Sequence, residues 1–299
     1  MAQRPDQVAL RPKLPDWLKV TMPGSPRYIE LKNLMRGQQL HTVCEEAHCP
    51  NIGECWGRGT ATFMILGEIC TRACRYCAVT TGRPGAVDLA EPRRVTDAVR
   101  RMQLRYCVIT SVNRDDLPDG GAAVFAACIN LIHAEVSGCK VEVLIPDFMG
   151  SADALKKVID ARPEVLNHNI ESTREIFPRV RPRGNYQRSL DLLARAKELD
   201  PATVTKSGII LGMGESTEAV VETMRDLRRV DCDLLTIGQY LRPSAKHLAI
   251  DRFYTPAEFA ELGRIGAELG FKHVASGPLV RSSYHADEQH DAATASGSS

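Results

Sequence analysis

From Thr60 onward the chain alternates between two hydrophobic patterns. Apolar runs of strand length occur at TATFMILGE (60–68), YCVITSV (106–112), KVEVLIP (140–146), VLNHNIE (165–171), VTKSGIILGM (204–213) and DLLTIGQYL (233–241). Between them lie amphipathic stretches near 94–103, 119–136, 151–161, 186–199 and 216–229, and a further one over 256–269 leads into FKHVASGPLV (271–280). Such apolar runs suit strands, and their alternation with helices predicts a parallel sheet buried on both faces. Ser151 with Asp153, and Ser216 with Glu218, supply helix-start signals. Six βα units are too few for a closed eight-stranded barrel. They predict an α/β fold, an open partial (βα)6 barrel whose chemistry sits on loops at the C-terminal strand ends. Residues 1–59 are rich in Pro, Gly and polar positions, with one helix expected from Ser25 to about Leu40 and Pro26 in its first turn. The residues after Ala286 read as a disordered tail. The expected organisation is an N-terminal extension over 1–59, the barrel over 60–275 and a C-terminal segment over 276–299, with both extensions over the barrel mouth.

The 299 residues are 43% hydrophobic and 25% charged, enough apolar material for a sizeable core. A formal net charge of +1 gives no global field toward nucleic acid or membrane, so neither is expected as a partner. The first twenty residues lack the apolar core of a secretory signal, and Asp6 and Asp16 break the acid-poor pattern of a transit peptide. The chain is therefore expected to be cytoplasmic. Ten cysteines in such a chain point to metal binding or catalysis rather than to disulfides. Cys107, Cys128, Cys139 and Cys232 lie in apolar surroundings and read as buried small hydrophobes. The other six fall between Cys44 and Cys77, in two groups of three.

The second group follows the first strand as CTRACRYC, placing Cys70, Cys74 and Cys77 at C-x3-C-x2-C spacing. Soft thiolates converging from one loop suit an iron–sulfur cubane, and three ligands leave one iron open. Zinc asks for four ligands, usually from paired C-x2-C units, and no matching pair follows. Plain buried thiols are the other alternative. With Tyr76 before the third cysteine, the run resembles the radical S-adenosylmethionine (SAM) signature. That resemblance implies a [4Fe–4S] cluster on Cys70, Cys74 and Cys77 as the catalytic centre. Its open iron would chelate SAM, and reductive cleavage would give a 5′-deoxyadenosyl radical that abstracts hydrogen from an unactivated C–H bond.

The first group, CEEAHCPNIGEC, places Cys44, Cys49 and Cys55 at C-x4-C-x5-C. Taken alone it is equally a zinc site using His41 or His48, or a set of loop thiols. The two triplets in this order, separated by a short strand, resemble the lipoyl synthase family. The likeness runs from about Pro15 to Ala286 through CPNIGECW, TFMILG, TSVNRDDLPDGGA, NHNIE, ILGMGE and RSSYHA. It implies a sulfurtransferase that inserts two sulfur atoms, at C6 and C8 of a protein-bound octanoyl-lysine, to form the lipoyl cofactor. The sulfur would come from an auxiliary [4Fe–4S] cluster held by Cys44, Cys49, Cys55 and Ser283, the serine taken from RSSY. A hard alkoxide among soft thiolates would be the easiest ligand to displace. The implied partners are octanoylated lipoyl-carrier domains (2-oxoacid dehydrogenase E2 subunits, glycine cleavage H protein), an electron donor such as ferredoxin or flavodoxin, and an iron–sulfur carrier for cluster repair.

Contacts to SAM are expected from Tyr76, from Asn113 and Asp115 after the second strand, and from Asn169 and Glu171 at the end of the fourth. Lys206, a charge inside an apolar strand, needs a partner: a SAM carboxylate or a protein acid. Arg242 is a similar case. Asp119-Gly120-Gly121 is either a polar contact to SAM or a tight turn. His168 reads as a satisfied histidine of the barrel interior. Arg179, Arg181 and Arg183 read either as contacts to an acidic carrier or as a solvated loop. Two other functions compete. Other sulfur-inserting radical SAM enzymes place their second-cluster ligands on barrel strands or carry further domains. A cysteine-rich zinc or redox-binding protein leaves the strand–helix alternation unexplained.

Overall fold

The structure, a computed structural model, describes residues 13–19, 29, 32–33, 35, 37, 41–42, 51–57 and 60–295. Ile29, Lys32, Asn33, Met35 and Gly37 are helical, within the helix expected from Ser25; the remainder of that stretch lies outside the described residues. Strand β1 (His41–Thr42) and helix α1 (Ile52–Gly57) precede β2 (Thr60–Ile65). Two short strands, β3 (Ile69–Cys70) and β4 (Thr80–Thr81), then pair with each other. The barrel proceeds through α2 (Glu91–Arg101), β5 (Tyr106–Ser111), α3 (Ala122–Glu135), β6 (Lys140–Leu144), α4 (Ala152–Asp160) and β7 (Val165–Asn167). It continues with α5 (Phe177–Val180), α6 (Tyr186–Leu199), β8 (Val204–Leu211), α7 (Thr217–Arg229), β9 (Leu234–Gln239), α8 (Pro256–Glu268) and β10 (His273–Gly277), and α9 (Ala286–Ala295) follows.

The sheet order is β1-β2-β5-β6-β7-β8-β9-β10. All pairs are parallel except β1 on β2. The six expected βα units are present, and FKHVASG adds β10 as a seventh parallel strand at the edge. The helices follow from their patterns. In α2, Val95, Ala98 and Val99 are buried, and Met102 continues the same face just past its end, while Arg100 and Arg101 face water. Ser151 and Ser216 cap α4 and α7 by accepting from the amides of Ala154 (3.2 Å) and Ala219 (3.1 Å). Gly121 opens α3 with φ +91°, where a Cβ would lie 2.2 Å from Leu66. Asp119 accepts from the amides of Gly121 and Ala123, so the tight-turn reading of this segment is the one observed.

Strand alternation sorts the two sheet faces. Cys107, Ile109, Val141, Val143, Leu166, Leu235 and Ile237 join the helices in the main core. Cys107, Cys128, Cys139 and Cys232 are all buried, as expected. His168 also faces outward rather than into the barrel. Its Nδ1 bonds Ile145 O at 2.8 Å and its Nε2 bonds Ser189 Oγ of α6 at 3.0 Å. Both ring nitrogens are thus occupied by protein, and burial pushes the imidazole down to about 4.

The opposite positions face the barrel interior. There Glu142 of β6 accepts from Lys206 Nζ (3.0 and 3.3 Å), Tyr106 OH (3.0 Å) and Asn167 Nδ2 (3.1 Å). Both charged side chains are fully buried. The partner that Lys206 requires is therefore a protein acid, not a ligand carboxylate.

The C-terminal residues depart from expectation. Residues 286–295 are helical, not disordered. Nor does the segment stay over the mouth. Val280 passes Gly238 of β9, where a Cβ would lie 2.1 Å from its carbonyl oxygen, so only glycine admits the crossing. Helix α9 then reaches the strands' N-terminal ends: Ala286 packs on Tyr106 and Val108, and Ala293 on Val165, Val204 and Leu234. His290 lies 6.1 Å from the Tyr106 ring, and Asp291 pairs with Lys140 at 2.8 Å. Ala286, Gln289, His290 and Ala293 share one buried helical face, and that burial orders a polar-looking sequence.

Two outcomes are expected. Lys206→Met removes the ion-pair partner of the buried Glu142, and should cost about 3–5 kcal/mol in urea unfolding. Adding Glu142→Leu should recover most of that loss; no recovery would contradict the paired-charge account. His168 has a folded value of about 4 against an ordinary 6.5. The unfolded chain therefore binds a proton that the folded chain refuses. Stability is full above the ordinary value and should fall by about 3 kcal/mol as pH drops toward the folded one. His168→Gln should flatten this slope in urea midpoints taken between about pH 7 and about pH 5. Parallel curves for the two proteins would count against a neutral buried imidazole.

Candidate metal and cofactor site at the barrel mouth

The loop carrying Cys70, Cys74 and Cys77 leaves β3 and returns as β4, with Cys70 opposite Thr81. The Gly82 amide donates to Cys70 O at 3.0 Å and closes the base. Between these points the loop has little structure of its own, and other strand ends satisfy its backbone. The Thr71 amide donates to Asn113 O after β5 (3.0 Å), and the Arg75 amide to Val180 O of α5 (3.0 Å). Arg75 O accepts from the Leu248 amide after β9 (3.0 Å). Cys77 O accepts from His247 Nε2 at 2.9 Å, which fixes the proton on that nitrogen and leaves Nδ1 to accept from Ser244 Oγ (2.9 Å). Arg242 braces the same loop from within, donating to His247 O (3.0 Å) and Ala245 O (2.5 Å). It is a loop brace beside the cysteines rather than a group projecting into the barrel.

Two backbone amides point at Cys70 Sγ, from Arg72 at 3.4 Å and Asn113 at 3.3 Å, with Asn113 Nδ2 at 3.7 Å. Such N–H groups favour a thiolate and tune a cluster bound to it. Burial raises the Cys74 thiol and pushes Cys77 up to about 12, with Cys70 adding to both shifts and Cys74 to that of Cys77. Thiols so placed stay protonated unless a cation takes the charge. Among the described residues no three His, Cys, Asp or Glu side chains converge as a single ion demands. A cubane takes its ligands at separate corners, so this donor set fits an iron–sulfur cluster better than mononuclear zinc.

Arg72, between the first two cysteines, is buried and ties the loop to two strand ends. Its Nε and one terminal nitrogen donate to Asp115 (2.7 and 2.8 Å), and that same terminal nitrogen also reaches Asp147 after β6 (2.6 Å). Burial opposes the charge on Asp147, yet the Arg72 guanidinium holds that carboxyl well below the usual range. Asp115 is thus an anchor for Arg72. On the far side, Arg181 is buried and donates to Asn169 O at 3.0 Å. It lies beside Cys74, Tyr76 and Glu171, within the site rather than on a docking surface. Burial pushes the Glu171 carboxyl up, and Arg181, Asn169 and Tyr76 oppose that shift. Tyr76 packs on Val180, Met213 and Tyr240.

Several buried polar atoms here have no hydrogen-bond partner among the described residues: Arg72 NH1, Asn113 Oδ1, Asn169 Oδ1, Glu171 Oε2 and Arg181 Nε. Unpaired buried donors and acceptors are costly, and together they outline a ligand-shaped demand. Tyr76, Asn113, Asn169 and Glu171 are therefore brought together with the cysteines. Lys206 lies deeper, on Glu142. Arg72, Asp147, Arg181 and His247 join the site without having been expected there. Arg72 and Asp147 carried a signal, being charges inside the cysteine motif and at a strand's C-terminal end.

Of the other triplet, Cys55 sits half-buried on α1, while Cys44 and Cys49 lie outside the described residues. Helix α1 is tied to the segment carrying Ser283. Asn51 Nδ2 donates to Leu279 O (2.7 Å), and Glu54 bonds His285 Nε2 (2.8 Å) and Tyr284 OH (3.4 Å). The neighbours of Cys55 and of Ser283 are thus in contact.

Comparison with known proteins bears on this arrangement. The radical SAM superfamily model matches residues 64–227, and that of the N-terminal domain of lipoyl synthase matches residues 2–49. The chain is 63% identical over 275 residues to the lipoyl synthase of Rubrobacter xylanophilus, covering 92% of this chain and 86% of that protein. It is 56% identical over 276 residues to the lipoyl synthase of a Roseiflexus species, covering 92% of each. Among solved structures, methylornithine synthase is similar at a TM-score of 0.55 and 12% identity, over 80% of this chain and 73% of that one. A maturase of the [FeFe]-hydrogenase gives 0.56 and 14%, over 83% and 62%. At such identity these two likenesses concern the fold alone.

If Arg72 fixes the loop, Arg72→Lys should loosen it, because an ammonium cannot reproduce the bidentate grip on Asp115 while reaching Asp147. Amide exchange across residues 71–79 of the metal-free protein should accelerate by about tenfold or more. Unchanged exchange there would show that the loop is held without this guanidinium.

Proposed function

Because the chain belongs to the lipoyl synthase family of radical SAM enzymes, we propose that it inserts sulfur at C6 and C8 of an octanoyl chain carried on a lysine of a lipoyl-carrier protein. The observation that carries this reading is the 63% identity with a lipoyl synthase over 92% of the chain. The family uses SAM and [4Fe–4S] clusters, and the residues at the mouth fit such a cluster.

In this reading Cys70, Cys74 and Cys77 hold the cluster that binds SAM. A cluster held there would supply the electron for reductive SAM cleavage, and with it the radical chemistry that removes hydrogen from an unactivated C–H bond. The chain's own residues do the rest. The Arg72 and Asn113 amides stabilise negative charge on Cys70 Sγ. Asn113 Oδ1, Asn169 Oδ1 and Glu171 Oε2 offer acceptors to the SAM amino group, while Arg72 NH1 and Arg181 Nε offer donors to its carboxylate. Arg181 opposes, without cancelling, the burial that raises the Glu171 carboxyl. Val180, Met213 and Tyr240, packed on Tyr76, keep water from this side of the site.

The sulfur donor is read as a second cluster, consumed as a substrate, on Cys44, Cys49, Cys55 and Ser283. The ties between α1 and residues 279–285 support that reading, since they hold two of its ligand-bearing segments together. The N-terminal extension over 1–59 and the C-terminal segment over 276–299 would then share one task around the barrel of 60–275. Carrier domains of 2-oxoacid dehydrogenases or the glycine cleavage H protein, a ferredoxin or flavodoxin, and an iron–sulfur carrier for cluster repair are the proposed partners. Among the described residues no helix is long and apolar enough to cross a membrane.

Anaerobically reconstituted protein should hold about eight irons. Replacing Cys70, Cys74 and Cys77 together by alanine should remove about half of them and abolish 5′-deoxyadenosine formation. Cys55→Ala should still cleave SAM, while an octanoylated lipoyl-domain peptide gains no sulfur by mass. Deoxyadenosine from the triple variant would overturn the site assignment, and zinc in place of iron would overturn the function.

A further inference from the structure

On the outer helices most cations are matched to acids. Arg93 and Arg100 meet Glu135, Lys156 meets Asp160, and Arg229 meets Glu222 and Asp226. Around the cysteine loop the pattern reverses. Arg75, Arg179, Arg183 and Lys246 are exposed, and among the described residues none has a carboxylate within ion-pair distance. Of the acids near the loop, Asp115 is engaged by Arg72 and Asp116 by Arg114; Glu171 lies within the site beside Cys74, and Glu68, ahead of Cys70, is exposed. These cations sit on the loop or on what holds it. Arg75 lies between Cys74 and Cys77. Lys246 precedes His247 and Leu248, which bond Cys77 O and Arg75 O. Arg183 donates to Thr71 O at 2.8 Å. The loop's exposed residues, Ala73, Arg75 and Ala78, stand beside the thiols, while Cys70 and Arg72 are turned into the protein.

We propose that this cationic face receives an acidic one-electron carrier protein, with Arg75 and Lys246 at its centre. The proposal rests on the reading that Cys70, Cys74 and Cys77 hold the reducible cluster. A carrier docked here meets the cluster from the solvent side through a single loop, whereas SAM and the octanoyl arm need the side that faces the barrel. Unpaired cations steer an acidic partner and set its orientation more than they add bulk affinity. The electron count is simple: the carrier is oxidised by one electron, the cluster is reduced by one, and no side chain of the face changes protonation.

The test uses the reconstituted holoenzyme and flavodoxin, an acidic protein with a single flavin. Arg75→Glu/Lys246→Glu should weaken flavodoxin binding and lower flavodoxin-driven deoxyadenosine formation by about tenfold or more. Dithionite-driven formation, which needs no docking, should stay within about twofold of the parent. Arg101→Glu/Arg105→Glu makes the same charge change on exposed positions ahead of β5, and should leave both rates unchanged. Independently of any variant, the parent's flavodoxin-driven rate should fall steeply with added salt while the dithionite-driven rate does not. Unchanged flavodoxin binding in the first variant, or a salt-insensitive flavodoxin-driven rate, overturns the proposal. So does a result in which affinity for the octanoylated carrier falls while that for flavodoxin holds, because the face would then belong to the substrate. Loss of dithionite-driven cleavage in the parent would instead strike at the cluster assignment beneath it.

Discussion

The backbone of residues 70–82 governs everything at the mouth. A loop that carries three thiols to a common point cannot also run its own ladder of hydrogen bonds, yet its polar groups still need partners. Here the partners come from the ends of β5 and β9 and from the segment after β7, through Asn113 O, the Leu248 amide, His247 and Val180 O. The cysteines are therefore positioned by the barrel as a whole. The position of such a loop at the C-terminal strand ends is the usual place for chemistry in folds built this way.

Two buried charge systems, at different depths, divide the labour. At the mouth, Arg72 with its two carboxylates fixes the loop, and Arg181 lies beside Cys74 and Glu171, while other donors and acceptors stay open. Deeper in the barrel, Lys206, Tyr106 and Asn167 all donate to Glu142, while Asn167 Oδ1 has no partner among the described residues. Helix α9 closes the barrel below this layer. Its chain also carries Ser283, which lies between the crossing at Gly238 and helix α9 below the barrel.

The repeating fold was legible because its signals are local. Each apolar run and each amphipathic stretch could be read without knowing its neighbours. The partner of Lys206 could not, because Glu142 lies in another strand and only sheet order and register bring the two together. Arg181 looked like one of three surface arginines, and only the turn after α5 sends it inward. Helix α9 was missed because composition hid a buried face formed by two alanines, a glutamine and a histidine. The three cysteines of the loop were evident from spacing. Asn113 and Glu171 followed from their places at strand ends. Ser283 had no local signal beyond the resemblance, and Cys44 and Cys49 lie outside the described residues.

The central claim is that this chain consumes one of its own clusters as the sulfur source. Isotope labelling tests it directly: reconstitute the clusters with ³⁴S, supply only unlabelled sulfide in solution, and weigh the lipoyl product of the first turnover. The account predicts product carrying ³⁴S at both positions. Product containing mainly unlabelled sulfur would contradict it.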